Sequence, residues 1–104
     1  MGDDKGYNKT GEMIMDFPDA LKACIAGKKI TNENWNGKGM YVFASRGYPM
    51  GVPANEALSM ATGIPEGENI TVLPELRMRN ARGEFVSWLI SQMDVFSNGW
   101  KVVE

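Results

Sequence analysis

This sequence contains no histidine and a single cysteine, Cys24. Without histidine the commonest general base near neutral pH is missing, and the Ser-His and Cys-His pairings of nucleophilic catalysis go with it. One cysteine forms no internal disulfide, which suits a reducing cytosol. With the carboxylates scattered, it also leaves no ligand set for zinc. A dominant charge sign is lacking too: 11 basic and 13 acidic residues, mixed along the chain, give a net charge of −2. Such a mixture makes no electrostatic footprint for duplex DNA or an anionic membrane. Neither DNA, RNA nor a membrane is expected as a partner. No apolar run approaches the roughly 18 residues needed to cross a bilayer. The opening residues are too acidic and polar for a signal peptide, so a soluble protein is expected. Catalysis by carboxylates alone is left open, without being the default.

The 104 residues fit one domain, and 43% hydrophobic residues argue against disorder. The chain is organised around Asn34-Trp35-Asn36-Gly37-Lys38-Gly39-Met40-Tyr41-Val42-Phe43. Asn36-Gly37 is a strong hairpin signal, because a type I′ turn needs positive φ at both central residues. Trp35, on the lip of that turn, reads as the lid of a small core or as a stacking platform for a flat ligand.

Residues 1–11 are polar and glycine-rich and read as a flexible tail, which leaves 12–104 as a single domain. Asp16–Gly27 reads as a helix. Pro18 suits its first turn, Phe17, Ala20, Leu21, Cys24 and Ile25 form its buried stripe, and Gly27 ends it. Cys24 therefore reads as a small core residue. Lys29–Thr31, Met40–Ala44, Ile70–Leu73, Glu75–Arg79, Glu84–Trp88 and Trp100–Val103 read as strands. Ser45–Asn69 is broken by prolines and glycines around a helix-like Ala54–Thr62 stretch. A connection of that length is usually functional or mobile. The expected class is α+β, with one N-terminal helix packed on a small antiparallel sheet.

Two segments offer chemistry. Asn36-Gly37-Lys38-Gly39 combines flexible backbone amides with one lysine, beside Trp35. It reads either as a bare turn or as a phosphate cradle next to a ring on which a base stacks. Trp88 with Gln92 and Asp94 adds a second ring, an amide and a carboxylate able to accept from ribose or base groups. Alternatively, Trp88 and Trp100 pad the core while Gln92 and Asp94 cap a turn. Arg77, Arg79 and Arg82 read as a solvated edge that blocks strand addition, or as a source of one pyrophosphate ligand. The eight methionines read as fillers of a core or a subunit interface.

Taken together, Phe17-x-x-Ala20-Leu21 with Gly27-Lys28-Lys29, Trp35-Asn36-Gly37-Lys38-Gly39-Met40-Tyr41, Trp88-Leu89-x-Ser91-Gln92-x-Asp94 and Trp100-Lys101-Val102-Val103 resemble the second Thoeris anti-defence family of phages and prophages. The resemblance covers about residues 13–104 and departs from the typical member in the tail and in the Tyr48–Gly67 region. It implies a homotetrameric sponge in the cytoplasm of the infected host. Such a sponge binds a cyclic ADP-ribose isomer, and in some relatives cyclic dinucleotides, without cleaving it. On the matched motifs, the implied ligand-binding residues are Trp35, Asn36, Gly37, Lys38, Met40, Trp88, Ser91, Gln92 and Asp94. No catalytic residue, metal or cofactor is implied. A small carboxylate-dependent nucleotide hydrolase and a structural or single-strand-binding phage protein are the competing readings.

Overall fold

The computed structural model describes residues 6–104. Residues 1–5 of the expected tail lie outside them. Gly6–Tyr7 forms strand β1, paired antiparallel with β2 (Met13–Ile14). The sequence reading put residues 6–11 in a tail and overlooked Asn8. Its side-chain oxygen accepts from the backbone N–H groups of Thr10 and Glu12, closing the turn.

Helix α1 (Phe17–Ile25) begins where Asp16 accepts from the Asp19 N–H at 3.0 Å. It ends at Ala26. Gly27, at φ 113°, donates its N–H to the Cys24 carbonyl, and Lys28 donates to that of Ala23, the paired closure of a Schellman motif. Ala20 and Cys24 are buried. Ile25, expected on the same stripe, is 65% exposed. Eight residues carry it about 80° round the helix from Phe17, off the edge of the sheet contact.

The chain forms two compact units. One comprises the residues up to Ala44 with Leu76–Glu104, and the other Ser45–Glu75. In the first, α1 packs on β3 (Lys29–Asn32) and β9 (Trp100–Val103). The five-stranded sheet adds β4 (Tyr41–Ser45), β7 (Glu75–Arg79) and β8 (Phe85–Ser87), in the order β8-β7-β4-β3-β9. The β3–β4, β3–β9 and β7–β8 pairs are antiparallel. Ile30 faces Val42 and Val102, and these join Met15, Ala20, Cys24 and Trp100 in the core. Position β7 is interior, so its arginines do not guard an edge as expected. That edge belongs to β8.

The second unit is an antiparallel pair, β5 (Tyr48–Pro53) and β6 (Asn69–Val72), with helix α2 (Glu56–Thr62) between them in sequence. Asn55 caps the start of α2, and Gly63, at φ 81°, closes it. The broken Ser45–Asn69 stretch thus has a regular structure of its own. A short helix α3 (Gln92–Val95) precedes β9.

Candidate functional site

Trp35 lies in the eight-residue connection Glu33–Met40 between β3 and β4. This is not the expected type I′ turn: neither Asn36 nor Gly37 has positive φ, which falls to Gly39 at 73°. Gly37 serves close approach instead. A Cβ there would sit 2.6 Å from both the Ala81 Cβ and the Met40 Sδ. The loop is anchored at its start by Asn32, which is buried and polar. Its carbonyl accepts from the Trp35 N–H at 3.1 Å, and its side-chain oxygen accepts from the Asn34 N–H at 2.9 Å. Its Nδ2 donates to the Ser97 hydroxyl at 2.9 Å. Every polar group of Asn32 that leaves water in this loop therefore finds a partner.

The two candidate segments do meet. The Trp35 indole N–H donates to Asp94 Oδ1 at 3.1 Å, and the Trp100 indole N–H donates to the Asp94 carbonyl at 2.8 Å. Ser91 caps α3 by accepting from the Asp94 N–H at 3.1 Å. Trp35, Trp88 and Trp100 pack mutually edge to face, with centroids 5.2 to 6.5 Å apart, and Phe17 completes the cluster. Edge-to-face contact is a favoured geometry for rings in a core. Asn36, Lys38, Ser91 and Gln92 are exposed.

Only part of this set borders a cavity. A cavity of about 500 Å³ is lined by Trp35, Gly37, Gly39 and Met40 on the loop side. Thr31, Tyr41, Lys101 and Val103 of the sheet also line it, and Glu12, Glu33 and Glu104 bring carboxylates. Asn36, Lys38, Trp88, Ser91, Gln92 and Asp94 do not line it; of these, Trp88 packs on the Trp35 ring and Asp94 accepts its indole N–H. Of the implied residues, Trp35, Gly37 and Met40 face the cavity.

Sequence reasoning missed Glu12, Thr31, Glu33, Tyr41 and Lys101. Lys101 Nζ donates to Glu12 Oε1 at 2.9 Å, and Asn8 Nδ2 donates to both Glu12 and Glu33 at 3.1 Å. The Lys101 hydrogen bond, with those of Asn8 and Thr10, holds the Glu12 carboxyl below the usual glutamate range. The cavity thus offers an aromatic ring, carboxylate acceptors for hydroxyl or amino groups, and one ammonium that a phosphate would share with Glu12. Burial pushes the Cys24 thiol up, away from nucleophilic thiolate. Among the described residues, no three metal-ligating side chains of the His, Cys, Asp and Glu types cluster.

Two comparisons bear on this arrangement. The model of the Thoeris anti-defense 2-like domain matches residues 15–103. A protein of Bacillus phage SP01, named Thoeris anti-defense 2, is 28% identical over 92 residues, covering 86% of this chain and 94% of its own length. The matched span contains the Trp35 loop, the Asp94 helix and the Trp100 strand, and on it the chain belongs to the Thoeris anti-defense 2-like family.

Proposed function

We propose that this protein is a phage anti-defence sponge, acting in the cytoplasm of the infected bacterium. It sequesters a cyclic ADP-ribose isomer without cleaving it. Family membership supplies the anti-defence role. The observation that carries the rest is the Trp35 cavity. Its volume of about 500 Å³ falls in the range of small-molecule sites. It places an aromatic ring, carboxylate acceptors and Lys101 around one space, and a nucleotide presents a base, ribose hydroxyls and phosphates to match them. The full set Trp35, Asn36, Gly37, Lys38, Met40, Trp88, Ser91, Gln92 and Asp94 remains the proposed site, with Asp94 acting through Trp35. Binding without cleavage agrees with a sequence free of histidine and a buried cysteine.

The test is calorimetric titration with the cyclic ADP-ribose isomer, followed by heat release and mass analysis of the ligand. Recovery of intact ligand, at no more than one per site, is expected. Lys101→Ala should weaken binding by about 1.5–3 kcal/mol if that ammonium holds a phosphate. No heat of binding at millimolar ligand would end the reading. Linear product in excess over protein would favour the hydrolase.

A further inference from the structure

We infer that Glu12 sets a charge limit on the ligand of the Trp35 cavity: phosphates in diester linkage are admitted, and terminal phosphomonoesters are turned away. This specificity rests on the cavity being the nucleotide site. The charged side chains that line it are Glu12, Glu33, Glu104 and Lys101, three carboxylates against one ammonium. Among the described residues no arginine joins the lining, and Lys29, 4.9 Å from the centroid of the Tyr41 ring, lies outside it. Two neutral donors of the lining are already engaged, the Trp35 indole N–H with Asp94 and the Asn32 amide with Ser97. Lys101 is therefore the main anchor that a phosphate has there.

That ammonium is itself paired. Its Nζ meets Glu12 Oε1 at 2.9 Å, in an ion pair whose side chains are 25 and 54% exposed. The β1–β2 turn holds the carboxylate in place. Asn8 Nδ2 and the Thr10 hydroxyl lie 3.1 Å from the same oxygen, and Asn8 Nδ2 also donates to Glu33 at 3.1 Å. Asn8 in turn is fixed by accepting from the Thr10 and Glu12 N–H groups. A phosphate arriving at Lys101 must share it with a carboxylate that the turn keeps there.

The charge on that phosphate then decides. A phosphate esterified on both sides carries one negative charge, whereas a terminal phosphomonoester carries about 1.5 to 2 at neutral pH. With the lining's one ammonium already paired, the extra charge is repelled by Glu12 and Glu33. Ribose hydroxyls are favoured by the same groups, because they donate to carboxylates. The lining thus suits a ligand rich in hydroxyls and free of terminal phosphate, as a nucleotide closed into a ring is.

Competition against the bound cyclic ADP-ribose isomer tests this, with ADP and its terminal methyl ester as competitors. The ester has nearly the shape of ADP and less charge at its end. In the parent protein it should compete at a concentration roughly tenfold below that of ADP, the scale of one added charge near a protein surface. Glu12→Gln keeps the shape of the side chain and removes its charge. It should tighten ADP roughly tenfold and the ester by less, narrowing the gap to about threefold or below. At about pH 5 a terminal phosphate regains its second proton. The hydrogen bonds of Lys101, Asn8 and Thr10 hold Glu12 below the usual glutamate range, hence ionised at that pH, so the parent's gap should close. An ester that competes no better than ADP in the parent overturns the inference. So does an undiminished gap in Glu12→Gln, including equal weakening of both competitors by a loosened turn, or a parent gap that persists at about pH 5. In each of these cases binding of the cyclic isomer stands, and with it the reading of the cavity. A parent protein that binds no cyclic isomer removes both.

Discussion

Trp35 and Asp94, 59 residues apart in sequence, are joined by an indole N–H donated to a carboxylate oxygen at 3.1 Å. This bond ties the loop that walls the cavity to helix α3. The backbone carbonyl of the same Asp94 receives the Trp100 indole N–H, so one residue orients two tryptophans. Replacing the Trp35 ring by alanine therefore removes core packing as well as any ligand contact. A gentler probe is needed.

Trp35→Phe keeps a ring and removes the donor. A double-mutant cycle with Asp94→Ala should return a coupling of about 1–2 kcal/mol in denaturant unfolding. A coupling near zero would mean that the bond orients nothing in solution.

Gly37→Ala should destabilise the fold by about 1–3 kcal/mol, because its new methyl meets Ala81 Cβ and Met40 Sδ at 2.6 Å. Met40 can swing away, but Ala81 is fixed to its backbone. The loop must then shift, so cavity binding should fall further than the melting temperature alone explains. Calorimetry beside thermal unfolding checks this.

These residues also show what a sequence makes legible. Helix α1 could be read because its stripe, its first-turn Pro18 and its Gly27 stop are local signals. Strands β3, β4 and β6 to β9 followed from β-prone runs between breakers, whereas β1, β2 and β5 carried no such run and were missed. The Asn36-Gly37 signal misled because a glycine serves either positive φ or close approach, and only the contact with Ala81 decides. The cavity floor was illegible for a different reason. Thr31 faces Lys101 through the β3–β9 pairing, a register set by the folded core and not by neighbours in sequence. Of the nine implied residues, Trp35, Gly37 and Met40 border the cavity, and the carboxylates around it carried no local mark.

The N-terminal hairpin should be sensitive to acid. Lys101, Asn8 and Thr10 lower the Glu12 pKa in the folded chain relative to the unfolded one. A depressed carboxylate stabilises above its unfolded pKa and loses that contribution as pH falls through the folded value. Amide exchange at Tyr7–Met13 should thus quicken below the ordinary glutamate range, before the core melts. In Glu12→Gln that pH step should vanish.

The last expectation concerns assembly. Leu89, Met93 and Phe96 are 92, 86 and 81% exposed, three large apolar side chains within eight residues around α3. Isolated apolar side chains on a surface need no explanation, but a group of this kind marks a contact site. Met93 is flexible enough to adapt to a facing surface. A homotetramer, the assembly that the family resemblance implies, would supply a partner for this group, because a symmetric contact uses the same patch on both copies. Burying three such side chains in each copy would contribute roughly 4–9 kcal/mol before the cost of association. Since none of the three belongs to the core, Leu89→Glu with Phe96→Glu should leave the monomer fold intact. Light scattering should then fall from a multiple of 11.5 kDa toward that mass itself. A parent protein that already scatters as 11.5 kDa at micromolar concentration would rule out the tetramer. An unchanged multiple in the double variant would move the interface elsewhere.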